Sequence, residues 1–441
     1  MDLRGLEFTL LPPGSHTVGT DVIYFTFGAF FGVAVFKREM VLDSGVPGVA
    51  QTIAANERGA RVRSIGILCK KHDNIHRHIP FLQHQAEIYI LSEEAILSDA
   101  LLAYYHIIND GGKLPVPHDP HALEAIQPIS HLTSFVIKMG PAIFSIWKYA
   151  LLRGRIMFFS PPPVRNSCIS VFCTSLITQH DTPQYDNSQN MLFFCNVNDI
   201  PKLEKHRLLP GSAKPPGYDQ GFVSCTSDAI FETKGDLWDV YIKKDGELVF
   251  PKSVPLYNRF QTNPCDKAKW NYLMALVDRS EGAETVENAL YMRRSEEKTG
   301  LLDDVDNLSG QYDVASISTN KSKTKESDHQ KAALRIIGYF HHLNTRLLST
   351  FLLLSHSPTD TTLSWSDIRN LDLDPEYDRM FLLKLSESMH VDLIISEEDE
   401  LVKSDMQRAS ALAGSVGMAV TQLGNNISKR WRGSGDRLKY T

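Results

Sequence analysis

The stretch ERGARVRS (Glu57 to Ser64) brings three guanidinium groups, Arg58, Arg61 and Arg63, close together, with Gly59 loosening the chain between them. A guanidinium is planar, permanently charged and carries a fork of donors that fits phosphate oxygens. An arginine at a loop tip can reach a transferring phosphate on another molecule and stabilise its charge. The same cluster also suits a solvated face paired with acids. Histidines gather just beyond, at His72, His76 and His78, with His84 further on. Only His72 and His76 have the i,i+4 spacing that stacks two imidazoles on a helix face. No glutamate-flanked HExxH pattern accompanies them, so no metal is expected. His390 and Asp392 are neighbours in SMHVD (Ser388 to Asp392), near an expected helix end, and adjacency alone makes no catalytic pair.

Phosphate-cradling loops are missing. NDGGKLP (Asn109 to Pro115) has a lysine after glycines but lacks the spacing and hydroxyl of GxxxxGK[ST]. There is no GxGxxG, and LPGSAK (Leu209 to Lys214) is not the GxSxG elbow that presents a nucleophilic serine. Nucleotide hydrolysis by the chain alone is not expected, and neither is a cofactor. Six cysteines lie at positions 69, 168, 173, 195, 225 and 265, none in a CxxC pair. That scatter fits free buried thiols in a reducing compartment better than a disulfide framework or a zinc site.

Elements must position whatever these residues do. DVIYFTF and FGVAVFKR (Asp21 to Phe27, Phe31 to Arg38) are β-branched and aromatic around GAF, which predicts a hairpin. RVRSIGILCK (Arg61 to Lys70) predicts a third strand, so the arginines precede or open it. IHRHIPFLQHQAEIYI and SEEAILSDALLAYYHIIND (Ser92 to Asp110) predict helices, the second capped by Ser92. A small sheet backed by helices results. GGKLPVPHDPHALEAIQP (Gly111 to Pro128) reads as a linker. TSFVIKMGPAIFSIWKYALLRG (Thr133 to Gly154) predicts a helix broken at Gly140-Pro141 and ended by Gly154 as a C-cap.

LLRGRIMFFSPPPV (Leu151 to Val164) follows. IMFF has strand length, and Pro161, Pro162 and Pro163 stop it because proline has no ladder donor. A proline triplet can also be a ligand for a proline-reading module, but that needs an exposed segment. Both flanks here are apolar, so a corner between a core strand and a helix is expected. Helix, strand, sharp turn, helix is the rhythm of a layered α/β domain. Further strands are predicted at Asn190 to Asp199 and Gly221 to Phe231, with a hairpin around Lys244-Asp245-Gly246. Residues 280–330 turn polar, and HQKAALRIIGYFHHLNTRLLSTFLLLS (His329 to Ser355) predicts a long helix opening a helical C-terminal part. EEDE (Glu397 to Glu400) is a charge run.

A chain of 441 residues suits about three domains of roughly 150 residues. With 42% hydrophobic residues it can bury sizeable cores. It carries 46 Lys and Arg against 52 Asp and Glu, a net charge of -6, which argues against nucleic acid as a partner. No signal peptide is visible and no stretch of 18 apolar residues occurs, so a soluble cytoplasmic protein is expected. In the tail, Leu412, Val416, Ala419, Leu423, Ile427 and Trp431 recur every three or four residues, ending in Lys429, Arg430 and Arg432. That pattern suits peripheral contact with an intracellular membrane through residues 406–432, or docking back onto the body.

IWKYALLRGRIMFFSPPPV resembles the central segment of DENN-domain proteins. DVIYFTFGAFFGVAVF with ERGARVRSIGIL, and GFVSCTSDAIFETKGDLWDVYI, are similar to the DENN domain containing 11 branch of that family, also called LCHN. The resemblance spans most of residues 3–400. It implies a tripartite α/β module: a longin-like αβ unit over residues 1–112, a linker at 113–132, a central α/β domain with a core sheet over 133–279, a linker at 280–328, a helical part over 329–405 and a tail at 406–441. Family members carry a strand upstream of the equivalent of DLRGLEFTLLPPGSH, so the first unit is expected without that strand unless a partner supplies it. The resemblance implies guanine nucleotide exchange on a Rab-type small GTPase, which needs no catalytic residue, cofactor or metal of the factor's own. Alternatives are a non-catalytic adaptor, tether or heterodimer subunit, and a GTPase-activating subunit using Arg58, Arg61 or Arg63 as an arginine finger.

Overall fold

Alternating aromatic and β-branched residues build the first hairpin. Strand β1 (Thr20–Phe27) pairs antiparallel with β2 (Phe30–Met40), and Gly28 turns the chain at a φ of 59°. Gly32 stands opposite Phe25, whose ring lies across the bare Cα; a Cβ there would sit 2.2 Å from it. Strand β3 (Ala60–Cys69) adds to β2 along its whole length, Met40 opposite Ala60 and Phe31 opposite Cys69. Helices α2 (Ile79–Tyr89) and α3 (Glu94–Asn109) follow, joined where Tyr104 stacks on Phe81 at 3.5 Å between centroids. A short α1 (Leu6–Leu10) precedes the hairpin. The computed structural model describes residues 4–40, 60–72, 74–89, 94–109, 127–182, 190–206, 221–278, 325–356 and 361–396. Arg58, NDGGKLP beyond Asn109, the linker at 113–126, LPGSAK, the polar stretch at 279–324, EEDE and the tail lie outside them.

The α/β rhythm continues through α4 (Leu132–Met139) and α5 (Ala142–Leu151), β4 (Ile156–Phe159), α6 (Arg165–Leu176), β5 (Met191–Phe194), α7 (Ile200–Glu204), β6 (Val223–Thr226), α8 (Ile230–Thr233), β7 (Val240–Ile242), β8 (Leu248–Val249) and α9 (Pro264–Val277). Strands β4, β5, β6 and β7 run parallel, while β8 turns back at Gly246, where φ is 91°. β1 pairs antiparallel with β5, Phe25 opposite Phe193. Hairpin and parallel strands thus form one eight-stranded sheet, ordered β3-β2-β1-β5-β6-β4-β7-β8. Strands β4 (IMFF), β5 (MLFF) and β7 (VYI) read as unbroken apolar runs because both faces are covered; Ile156, Met157, Val223, Cys225, Val240 and Tyr241 are all buried.

Two glycines and one buried ion group fix the helices against this sheet. Gly140 caps α4 at a φ of 55°, and α5 leaves at 119° to the preceding helical stretch. The expected C-cap at Gly154 falls one residue off: Arg153 takes the left-handed position, with φ 53°, and Gly154 donates its N–H to Tyr149 O at 2.7 Å. That bond spans the last helical turn in the manner of a Schellman closure, in which the residue after the left-handed one caps a helical carbonyl. Behind it, Lys148 and Asp266 are both fully buried and meet at 2.8 Å. Lys269 Nζ lies 2.9 Å from the same carboxylate and 4.8 Å from the centre of the Phe144 ring. Removing the aspartate would leave two buried ammonium groups, and an uncompensated buried charge is strongly destabilising.

The chain divides into two compact units. The first comprises Met1–His180, Asp186–Met274 and Thr324–His341 and holds the sheet; the opening turns of α10 (Lys325–Ser355) belong to it through Phe340, 5.6 Å from Phe144. The second comprises Asp181–Tyr185, Ala275–Lys323 and His342–Thr441. It contains α11 (Trp365–Asn370), started by a Ser364–Asp367 capping box, and α12 (Arg379–Ser388), with Phe381, Leu382 and Leu385 buried. The helical expectation missed a parallel pair there, β9 (Thr362–Ser364) with β10 (Ile394–Ser396). Three residues are too few to show a period of two in sequence. The architecture is mixed α/β, with an N-terminal β-rich region, a central sheet and a C-terminal helical segment.

Candidate interaction surface

Strand directions decide which residues share a place. Because β1 opposes β5, β2 opposes β1 and β3 opposes β2, one end of the sheet gathers several termini. The carboxyl ends of β4, β5, β6 and β7 lie there, with the start of β1, the end of β2 and the start of β3. In open α/β sheets this carboxyl end is where ligands ordinarily enter. Here the chain's own N-terminal segment occupies it. Asn196 Nδ2, just past β5, donates to Thr9 Oγ1 at 3.1 Å. Ser227 Oγ, just past β6, donates to Pro13 O at 3.2 Å. Gly14 is packed so closely on Pro162 that a Cβ would sit 3.2 Å from its ring.

The proline corner is locked from the same side. Pro161, Pro162 and Pro163 link β4 to α6, with a cis bond between Pro162 and Pro163. Helix α6 has no side-chain cap of its own: Val164 stands at its N-cap. Asp21, at the start of β1, supplies the acceptor. Its carboxylate takes the N–H groups of Val164 and Arg165 and, at 2.8 Å, its neighbour Val22. A carboxylate suits the positive end of a helix, yet burial pushes the Asp21 carboxyl above its ordinary value, outweighing the pull of those three N–H groups. Asp21 escaped the sequence reading because it looks like the polar edge of DVIYFTF.

The arginines belong to this end as well. Arg61 and Arg63 lie inside β3 rather than ahead of it, opposite Glu39 and Lys37 of β2. A paired strand holds its backbone straight, so neither is a loop-tip residue. The histidines are packing groups by geometry. His78 Nδ1 is 3.0 Å from the Tyr104 hydroxyl, and His72 sits edge-on to Phe31 and Phe172. Burial, with Arg77 and His78 adding to it, pushes the His76 imidazole down to about 4. His84 is exposed, and His390 holds a left-handed φ of 56° after α12. Among the described residues no group of three or more His, Cys, Asp or Glu side chains is placed to hold a metal ion. Cys168, Cys173, Cys195 and Cys225 are buried free thiols, Cys168 Sγ lying 3.5 Å from Cys225 Sγ. Burial pushes the Cys173 and Cys195 thiols up, which disfavours the reactive thiolate.

At the opposite end of the sheet a groove of about 320 Å³ lies between the β1–β2 turn and the start of β5. Lys202 in its wall is already engaged, donating to Thr26 Oγ1 at 3.3 Å. Among the described residues no single helix is long and apolar enough to cross a membrane.

The family model for DENN domain-containing protein 11 matches residues 1–252. Over 413 residues the chain is 29% identical to DENN domain-containing protein 11 of Rattus norvegicus, an alignment covering 90% of this chain and 76% of that protein. It is 29% identical over 416 residues to the protein of that name in Xenopus laevis, covering 90% and 80%. Over 283 residues it is 24% identical to Uncharacterized protein ANR2 of Saccharomyces cerevisiae, covering 55% and 52%.

Proposed function

The chain belongs to the DENN domain-containing protein 11 family, and on that footing we propose that it is a guanine nucleotide exchange factor for a Rab-type small GTPase. The observation that carries the reading is the family match over residues 1–252; at the carboxyl end of the sheet Thr9, Pro13 and Gly14 meet Asn196, Ser227 and Pro162. Exchange is differential binding: the factor binds the nucleotide-free GTPase better than the loaded one, and reciprocity then weakens the hold on nucleotide.

The same proposal takes residues 1–112 as a longin-like unit, 133–279 as the central domain and 329–405 as the helical part, with a peripheral membrane contact through 406–432 in the cytoplasm. Arg61 and Arg63 are contact candidates in it, together with Arg58. The place of Arg61 and Arg63 in a paired strand favours contact over the arginine-finger role for those two.

The test is nucleotide release from a panel of Rab GTPases with the full chain. An acceleration of roughly tenfold or more for one member is expected, within the ordinary range of binding couplings, together with capture of that member when stripped of nucleotide. Binding of the loaded form without faster release would instead mark a tether. Stimulated hydrolysis abolished by Arg61→Ala or Arg63→Ala would mark a GTPase-activating subunit.

A further inference from the structure

The two outermost strands of the eight-stranded sheet are built differently. On one side β8 is two residues long, Leu248–Val249, and Pro251 follows it closely. A short strand and a proline are ordinary ways of closing an edge to further pairing. On the other side β3 runs for ten residues, Ala60–Cys69. It pairs with β2 over that whole length, without a shift of register and without a proline. Among the described residues no strand pairs with its outer side. In an antiparallel strand about half of the N–H and C=O groups point away from the paired neighbour. What completes such a row is another strand. Lipid does not, since it returns no ladder of donors and acceptors.

The side chains of β3 say what that strand carries. Successive residues point to opposite faces. Arg61, Arg63 and the buried Ile65 therefore share one face, while Val62 and Gly66, both exposed, share the other. On the inner side Arg61 stands opposite Glu39, whereas Arg63 stands opposite Lys37. Like charges directly opposite each other are destabilising across a strand pair, and opposite charges are favourable. A carboxylate across the outer edge from Arg63 offsets its pairing with Lys37, and a second one two residues away meets Arg61. A second copy of β3 has none to offer: Ala60–Cys69 contains no acidic residue, and Lys70 and Lys71 follow it. We propose that the outer edge of β3 takes an extended segment of another protein as a ninth strand, with two acidic side chains, two residues apart, opposite Arg63 and Arg61. The same arginines oppose a second copy and select the acidic strand, so one feature serves both sides of the discrimination. This surface holds whether or not the chain exchanges nucleotide.

The experiment uses the full chain. The probe is a fluorescein-labelled peptide as long as β3, of alternating glutamate and valine, read by fluorescence anisotropy. One counterpart has lysine in place of glutamate, and another carries an N-methyl group on every peptide nitrogen. Both should bind at least about tenfold more weakly than the probe, the first for want of charge complementarity and the second for want of donors. Arg63→Glu puts an opposite charge across from Lys37, so the inner pairing is kept. It should weaken the glutamate peptide about tenfold and strengthen the lysine peptide. Lys252→Glu, at an exposed position beyond β8, should leave both within about twofold. Amide hydrogen exchange over residues 60–69 should be fast at about half of the amides in the free chain and slow when the peptide is bound. Four results each overturn the ninth strand: no binding of the glutamate peptide, equal binding of its N-methylated copy, binding indifferent to Arg63→Glu, or a free β3 as protected as β2. A wild-type dimer whose formation protects residues 60–69 gives the edge to a second copy, which also overturns it. Flotation with anionic liposomes that Arg63→Glu abolishes, without peptide binding, gives the surface to a membrane and overturns it as well.

Discussion

Asp21 performs for α6 a task that the helix's own sequence leaves undone. The residue lies 143 positions from Val164, whose N–H it accepts. Asp21→Ala leaves the Val164 and Arg165 N–H groups without that acceptor in a buried site, which should cost roughly 1–3 kcal/mol. Thermal unfolding of the variant checks it. Asp21→Asn isolates the titration. Burial holds the folded carboxyl above its ordinary 3.8, so the folded chain keeps its proton more tightly than the unfolded one. The stability this contributes is complete below the unfolded value and is lost as pH rises through the folded value. Urea unfolding of wild type and Asp21→Asn, compared between about pH 4.5 and about pH 7, should show the wild type losing ground to the variant as pH rises. A constant difference would remove Asp21 as a perturbed group. Nothing local predicts this residue: an aspartate before VIYFTF has the same neighbours whether or not a distant helix ends over it.

Close approach at a glycine decides how the parallel strands line up. A Cβ on Gly221 would lie 1.9 Å from Arg153 O and 2.6 Å from Gly154 C, at the point where β6 and β4 begin side by side. Both obstacles are backbone, so the strands themselves must part. Gly221→Ala should therefore destabilise by about 2 kcal/mol or more, in the upper range of overpacking. Gly338→Ala is the contrasting case, an interior glycine of α10 with nothing within 4 Å of its Cβ position. It should stabilise by roughly 0.5–1 kcal/mol through the better helix propensity of alanine. Paired melting curves check both, and a Gly221 variant as stable as wild type would refute the close-contact argument. At this scale the sequence was informative where several signals agreed. The helix ahead of IMFF, the strand itself, the proline stop and the following helix all appear near their expected positions. The left-handed residue fell to Arg153 and not to Gly154, because the close passage of β6 beneath residues 153–154 fixes the backbone there.

For the whole molecule, continuity of the sheet is the main structural result. The N-terminal hairpin joins the parallel strands through Phe25 opposite Phe193, and Phe193 reaches that pairing with a φ of 53°. One end of the sheet thereby collects the arginines of β3, the Asp21 clamp, the proline corner and the N-terminal segment, all remote in sequence. The membrane contact proposed for the tail is testable at this scale. Its apolar residues recur at helical spacing up to Trp431, beside Lys429, Arg430 and Arg432, a composition suited to an anionic surface. Removing residues 406–441 should reduce flotation with anionic liposomes and leave the melting temperature unchanged. Equal flotation of the two forms would assign the tail to the body instead.

Local pattern in the sequence was enough to establish most strands and helices of the first unit, the break at Gly140-Pro141, the turn at Gly246 and the proline corner, because each is set by steric preferences within a few residues. Family membership was also legible, since those signals recur in a fixed order along the chain. Only the tertiary structure decided which segments lie together: Asp21 under α6, Thr9 against Asn196, and Gly221 against residues 153–154. Such contacts depend on strand order and direction, and no period in a single segment encodes the identity of a neighbour more than a hundred residues away.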